Sequence, residues 1–208
     1  MAIFDFREDM TFDELCETYI GKLKGIVEKA RKKKWQGFLQ HGASFKKITD
    51  VFIPLYSQKK PRPKMDEDFE RAETEFKLGK KDYYQGKYRE AAEHFQNAAS
   101  LVSKRHSYHG FLGLALKKMG SYDAAVKSFK TAISLYPVSR DYWFNLGECL
   151  EALGVKSGAI EAYAIAYLVE PSDFLPIKRI EALDPSANFS GRKRRQGIFS
   201  KLFGRSDS

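Results

Sequence analysis

The sequence predicts an all-α protein: three tandem helix-turn-helix repeats stacked as an α-solenoid, with an additional N-terminal helical region and a C-terminal capping helix. Three observations predict it. The windows 72–105, 106–139 and 140–173 align without a gap at a period of 34 residues, and a fixed period of that length marks a stacked array of short helical units. Five positions are identical in all three windows: Leu78, Leu112, Leu146; Gly79, Gly113, Gly147; Gly86, Gly120, Gly154; Ala91, Ala125, Ala159; and Ala98, Ala132, Ala166. On both sides of the array, apolar residues recur every three or four positions, as on one face of a helix.

Each repeated position has a physical role. Glycine at the eighth place and alanine at the twentieth remove the bulk that would wedge two antiparallel helices apart. Gly86, Gly120 and Gly154 sit where the first helix must end, a place that favours a positive φ. Tyr88 and Tyr122 then open the second helix, and Pro137 and Pro171 stop it, because a ring without an N–H cannot continue the ladder. The three leucines and the aromatics Phe95, Phe129 and Tyr163 are expected to fill the core between repeats. Departures fall at Glu75, His109, Asp82 and Lys156, where a large apolar or aromatic side chain would suit the pattern better. A terminal repeat is expected to be imperfect, since one of its faces meets solvent.

The chain divides into 1–65, an N-terminal helical region with a basic linker; 66–173, the three-repeat domain; 174–185, a capping helix; and 186–208, a basic tail expected to be flexible. Residues 11–39 read as an amphipathic helix opened by a capping box of Thr11 and Glu14, with Phe12, Leu15, Tyr19, Leu23, Ile26 and Ala30 on one face. A second helix is expected from Ser44 to Tyr56, with Phe45, Ile48, Phe52 and Leu55 aligned. Such faces must be buried on the array or in another subunit, which leaves a homodimer open. The cap is read from Leu175, Ile180 and Leu183 before the stop Asp184-Pro185.

The formal net charge of +9 is unevenly placed: residues 1–65 hold 14 Lys and Arg against 8 Asp and Glu, residues 191–208 hold 6 against 1, and the middle is nearly neutral. A nucleic-acid reader would carry its basic stripe on the folded surface, so nucleic acid is disfavoured as a partner. In the tail, Arg192, Lys193, Arg194 and Arg195 precede Ile198, Phe199, Leu202 and Phe203, a pattern that docks on anionic membranes or acidic partners or simply keeps a chain soluble. Arg31 to Lys34 form a second cationic run ending beside Trp35. Cys16 and Cys149 lack any metal or redox spacing. No stretch approaches the roughly 20 apolar residues of a membrane span, and the first residues lack a signal-peptide pattern. The expected setting is cytoplasmic, with peripheral membrane contact left to the tail.

The stretches GKYREAAEHF and GSYDAAVKSF, together with Trp143, Leu146 and Gly147, resemble the tetratricopeptide repeat family over residues 72–173. The resemblance implies a concave surface lined by first-helix residues. The groove residues it nominates are Phe76, Lys80, Tyr83, Tyr84, Phe111, Leu114, Lys117, Phe144 and Glu148, aromatics mixed with both charge signs. Repeats that clamp a free C-terminal carboxylate carry Lys, Asn, Asn, Lys and Arg where this chain has Phe76, Lys80, Phe111, Asp141 and Asn145. None matches, and Asp141 would repel a carboxylate, so an internal segment fits better. Within the family, Gln85–Ala91, Phe111–Ala125 and Gly147–Gly154 resemble the class II chaperones of type III secretion systems. That resemblance implies a chaperone that holds a segment of a hydrophobic translocator, keeping it soluble before export. The alternative is a scaffold or adaptor whose tail docks on a membrane or an acidic partner.

No catalytic or cofactor motif is present: there is no phosphate-cradling loop, nucleophile elbow or metal-spaced histidine pair. His106 and His109 lie one turn apart and read as a surface pair. The expected protein is a binding module, not an enzyme, with no cofactor.

Overall fold

The computed structural model describes residues 6–61 and 65–189, and every regular element among them is helical. Two helices precede the array, α1 (Phe12–Lys32) and α2 (Gly42–Lys59), joined through a short 3-10 turn at Phe38–His41. Three antiparallel pairs follow: α3 (Glu67–Tyr84) with α4 (Tyr88–Leu101), α5 (His106–Lys118) with α6 (Tyr122–Leu135), and α7 (Arg140–Ala152) with α8 (Lys156–Val169). Helix α9 (Leu175–Leu183) closes the stack against α8. The expected helix starts at Tyr88 and Tyr122 and the stops before Pro137 and Pro171 are all present. Gly86, Gly120 and Gly154 take φ of +80°, +76° and +73° at the turns within the repeats.

The eighth-position glycines do more than admit a neighbouring helix. A Cβ added at Gly79 would lie 2.7 Å from the Phe95 ring, at Gly113 2.9 Å from Phe129, and at Gly147 2.7 Å from Tyr163. The ring of each second helix therefore lies directly on the backbone of its first helix. Two of the four departures from the pattern lie in the open first repeat. Glu75 and Asp82 replace apolar side chains where no preceding repeat exists, and His94 bridges them, with Nδ1 2.7 Å from Glu75 and Nε2 3.4 Å from Asp82. Leu78, expected in the core, remains 40% exposed for the same reason: the repeat that would cover it is missing.

The N-terminal helices pack on the array itself. Helix α1 lies on α6 and α8, and α2 on α8. The expected helix over 11–39 stops at Lys32, because Lys34 and Trp35 adopt left-handed φ of 47° and 62°. Such conformations cost non-glycine residues on the order of 1 kcal/mol each. The reversal delivers Trp35 and Phe38 into the core out of phase with α1, and the Trp35 indole donates to Asp184 Oδ2 at 3.0 Å. Tyr19 stacks on Phe52 at 4.1 Å within the pair, while Tyr56 donates to the Leu135 carbonyl at 2.9 Å, fastening α2 to the end of α6. In the cap, Ile177 and Ile180 are buried with Pro176, whereas Leu175 faces solvent. Residues 186–189, expected to begin the tail, are part of the fold: Ala187 and Phe189 are buried, and Phe189 packs on Trp35 and Phe38.

His106 is not a surface histidine paired with His109. Its ring stacks on Tyr136 at 4.5 Å and its Nδ1 lies 3.0 Å from the Tyr142 hydroxyl, while His109 bonds the Ser103 carbonyl. Burial, aided by Lys60 and Arg105, lowers the His106 pKa to about 4. Cys16 and Cys149 are buried free thiols, pushed up by burial to about 12 and about 11. They are protonated at neutral pH and poor nucleophiles.

Two measurements test this packing. Gly113→Ala should destabilise the chain by about 1–3 kcal/mol in urea unfolding, the usual cost of overpacking. Gly21→Ala, at an exposed position in α1 with nothing within 4 Å of the added Cβ, should instead be neutral or stabilise by up to about 1 kcal/mol. Equal effects would mean that the ring contacts do not set the helix spacing. For His106, the unfolded chain binds the proton more tightly than the folded one. The stability it allows is complete above pH 6.5 and declines as pH falls toward 4, by at most about 3 kcal/mol. His106→Phe should flatten the unfolding free energy between pH 6.5 and 4.5, above the range where Glu75 and the other carboxylates with lowered pKa begin to protonate.

Candidate functional site

Successive first helices touch, α3 with α5 and α5 with α7, whereas the second helices stand farther apart. The array therefore curves with α3, α5 and α7 on its inner side. Because α1 and α2 occupy the outer side, over α6 and α8, the inner groove has no cover among the described residues. Two clefts of roughly 460 and 510 Å³ lie elsewhere, one between α3 and α4 around Thr74 and Asn97, the other on the outer side between α4 and α6 over Leu112 and Leu116.

The nine nominated groove residues divide by depth. Phe76 and Phe144 are packing residues, each only 8% exposed. Phe76 sits among Phe95, Tyr108 and Phe111 at ring separations of 5.6, 4.9 and 5.2 Å, and Phe144 lies against Tyr163 at 5.2 Å. Both stand on inner helices, α3 and α7, but these aromatic neighbours keep their rings below the surface. Phe111 is half-buried, edge-on to Phe76, and Leu114 is half-buried one turn further along α5. Tyr83 packs against Tyr84, Tyr88 and Phe111, and Tyr84 stands 77% exposed. These four side chains form an apolar strip across the first two repeats.

The charges of the groove are arranged around that strip. Lys80 Nζ lies 5.0 Å from the Phe76 ring centroid, a cation over an aromatic face. Lys117 Nζ donates to Glu148 Oε2 at 2.7 Å and to Asn145 Oδ1 at 2.5 Å, joining repeats two and three across the groove floor. Both partners of that pair are largely covered, so it resists salt screening better than a surface pair.

Sequence reasoning missed the two arginines that complete the far end. Arg140 covers the Phe144 ring at 4.3 Å and pairs with Asp173. Arg179, from the capping helix, pairs with Glu151 at 3.1 Å, and the Tyr163 hydroxyl donates to the same carboxylate at 2.7 Å. An amphipathic pattern assigns Arg179 to the polar face of α9 but not to a partner 28 positions earlier in sequence. Among the described residues no group of three or more His, Cys, Asp or Glu could hold a metal ion, and no helix is long and apolar enough to cross a membrane. The tail residues 192–203 lie outside the described residues.

Comparison with known proteins gives the same architecture. No curated protein matches the chain. Among solved structures, the crystal structure of MamA superposes with a TM-score of 0.57 at 22% identity, covering 86% of this chain and 97% of that one. The second tetratricopeptide domain of human RPAP3, in complex with an HSP70 peptide, gives 0.54 at 20% identity, over 56% of this chain and 97% of that one. The Yersinia enterocolitica type III secretion chaperone SycD, in complex with a peptide of the translocator YopD, gives 0.50 at 22% identity, over 57% and 93%. At these identities the likeness is one of fold. A family model described as tetratricopeptide repeat matches residues 76–116 and 112–174. Residues 76–174 of this chain thus match the tetratricopeptide repeat family, whose fold its structural neighbours share.

Proposed function

We propose that this protein is a peptide-binding module whose inner groove holds an extended internal segment of a client protein, in the manner of a chaperone that keeps an export client soluble. The carrying observation is the uncovered strip of Tyr83, Tyr84, Phe111 and Leu114, flanked by Lys80 and the Lys117–Glu148 pair. Apolar side chains of a client can enter that strip while the flanking charges fix its register, the usual division of labour in a recognition groove. An exported protein with exposed apolar segments aggregates unless they are masked. The SycD complex, in which the same fold meets a translocator peptide, supports the reading. So does the absence of a carboxylate clamp: Asn145 is engaged by Lys117 and by the Asp141 carbonyl.

The test uses proteins that co-purify with the chain, tiled as peptides and titrated by fluorescence anisotropy. Leu114→Glu puts a charge into the strip and should weaken binding on the order of a hundredfold, as expected for an anchor worth about 2–3 kcal/mol. Tyr84→Ala should weaken it less, with helical circular dichroism unchanged in both. Phe76→Ala is the wrong probe, because emptying that buried position costs about 3–5 kcal/mol of stability. Unchanged affinity in both Leu114→Glu and Tyr84→Ala would overturn the assignment of the groove.

A further inference from the structure

The outer side of the array has two equivalent grooves, and a helix of the chain fills one of them. The filled groove lies between α6 and α8. Helix α1 rests on both of its walls, and Leu15, Tyr19, Leu23 and Val27 of α1 share one buried cluster with Val126 and Ala162. The second groove is the cleft of roughly 510 Å³ between α4 and α6, and no described helix lies across it. A shift by the 34-residue period maps one groove onto the other. Leu112 takes the place of Leu146, Leu116 that of Leu150, and Ala92 that of Val126, so the two floors match. Ser128 takes the place of Ala162, and its hydroxyl donates to the Ala124 carbonyl at 3.1 Å, which leaves little polarity to present to an occupant.

The rims of the two grooves differ in sign. In the filled groove Lys127 stands on α6 and Glu161 on α8, and α1 meets Glu161 with Lys24 at 3.5 Å. In the open groove the same two places hold Glu93 on α4 and Lys127 on α6, both exposed. We infer that the α4–α6 groove docks an amphipathic helix of a partner protein, seated as α1 is seated but with a carboxylate where α1 carries Lys24. Both walls are helices of 14 residues, which gives room for about four turns. An apolar side chain at every third or fourth position would reach the floor, the usual mode of a helix in a groove. A second copy of this chain fits poorly: its α1 is buried in its own fold and would bring Lys24 against Lys127. The groove lies on the opposite side of the array from the strip of Tyr83, Tyr84, Phe111 and Leu114, so the inference is independent of the peptide-binding reading.

The probe is a labelled peptide of residues 11–32, made with Lys24 and with Lys24→Glu, and titrated by fluorescence anisotropy against the full chain, whose own α1 keeps the other groove filled. The Lys24→Glu peptide should bind, about threefold more tightly than the Lys24 peptide, as expected for an exposed ion pair. Lys127→Glu in the chain should reverse that preference. Ala124→Trp places a ring in the open groove from an exposed position and should weaken peptide binding on the order of tenfold or more, with client binding to the inner groove unchanged. If Ala124→Trp lowers the melting temperature, Ala124→Gln replaces it. The proposal is overturned if the Lys24→Glu peptide does not bind, if Lys127→Glu leaves the preference as it was, or if a folded Ala124 variant binds like the parent. It is also overturned if the chain forms a dimer that Ala124→Trp dissolves in sedimentation velocity, because a second copy would then occupy the groove.

Discussion

The contact of an aromatic ring with a glycine backbone governs the geometry of this molecule. Phe95 on Gly79, Phe129 on Gly113 and Tyr163 on Gly147 fix how close the two helices of each repeat come. Three nearly identical contacts give three nearly identical units, and stacking identical units generates a regular curve. The curve separates an inner surface, made of α3, α5 and α7, from an outer one made of α4, α6 and α8. Everything functional follows from that separation. A side chain at one repeat position meets the groove in all three repeats, and the second helices provide a distinct surface on which other parts of the chain can settle.

The N-terminal helices use that outer surface. By lying on α6 and α8 they bury Tyr19, Phe52 and Tyr56, side chains each worth on the order of 2 kcal/mol when removed from water. They leave the open edge of the first repeat untouched. That edge is instead made tolerable by polarity, with His94 held between Glu75 and Asp82. The other edge is closed by α9, whose Arg179 reaches into the last repeat to neutralise Glu151. The two ends of the stack thus solve the same problem by different means, one with charge and one with a helix.

These solutions also explain what could be read in the sequence. The repeats were legible because glycine and alanine at fixed positions answer a steric demand that no other residue meets. The amphipathic faces of α1 and α2 were legible because burial of one helix face imposes its spacing. Depth was not legible. The spacing that places Phe76 and Phe111 on the same inner helices does not say that one ring is covered by the other. Nor does any local pattern announce the left-handed turn at Lys34 and Trp35, since its driving force is the burial of Trp35 against Phe189 and its bond to Asp184, all distant in sequence. The same distance hid Phe189 as a folded residue.

Charge is partitioned along the same lines as shape. Three cations at the far end of the array are committed: Lys117 to Glu148 and Asn145, Arg140 to Asp173, Arg179 to Glu151. Pairs of this kind hold neighbouring helices in register and present little net field to a ligand, so what remains for recognition is the apolar strip, with Lys80 at its border. On the outer side, Lys33 and Lys34 project from a turn whose backbone is tied to the core. A charge fixed to a rigid base retains its position when a partner approaches, and loses little conformational freedom in binding. The groove, with its paired charges, and the exposed cationic turn are thus two chemically distinct surfaces, kept apart because the N-terminal helices settle on the second helices and not on the first.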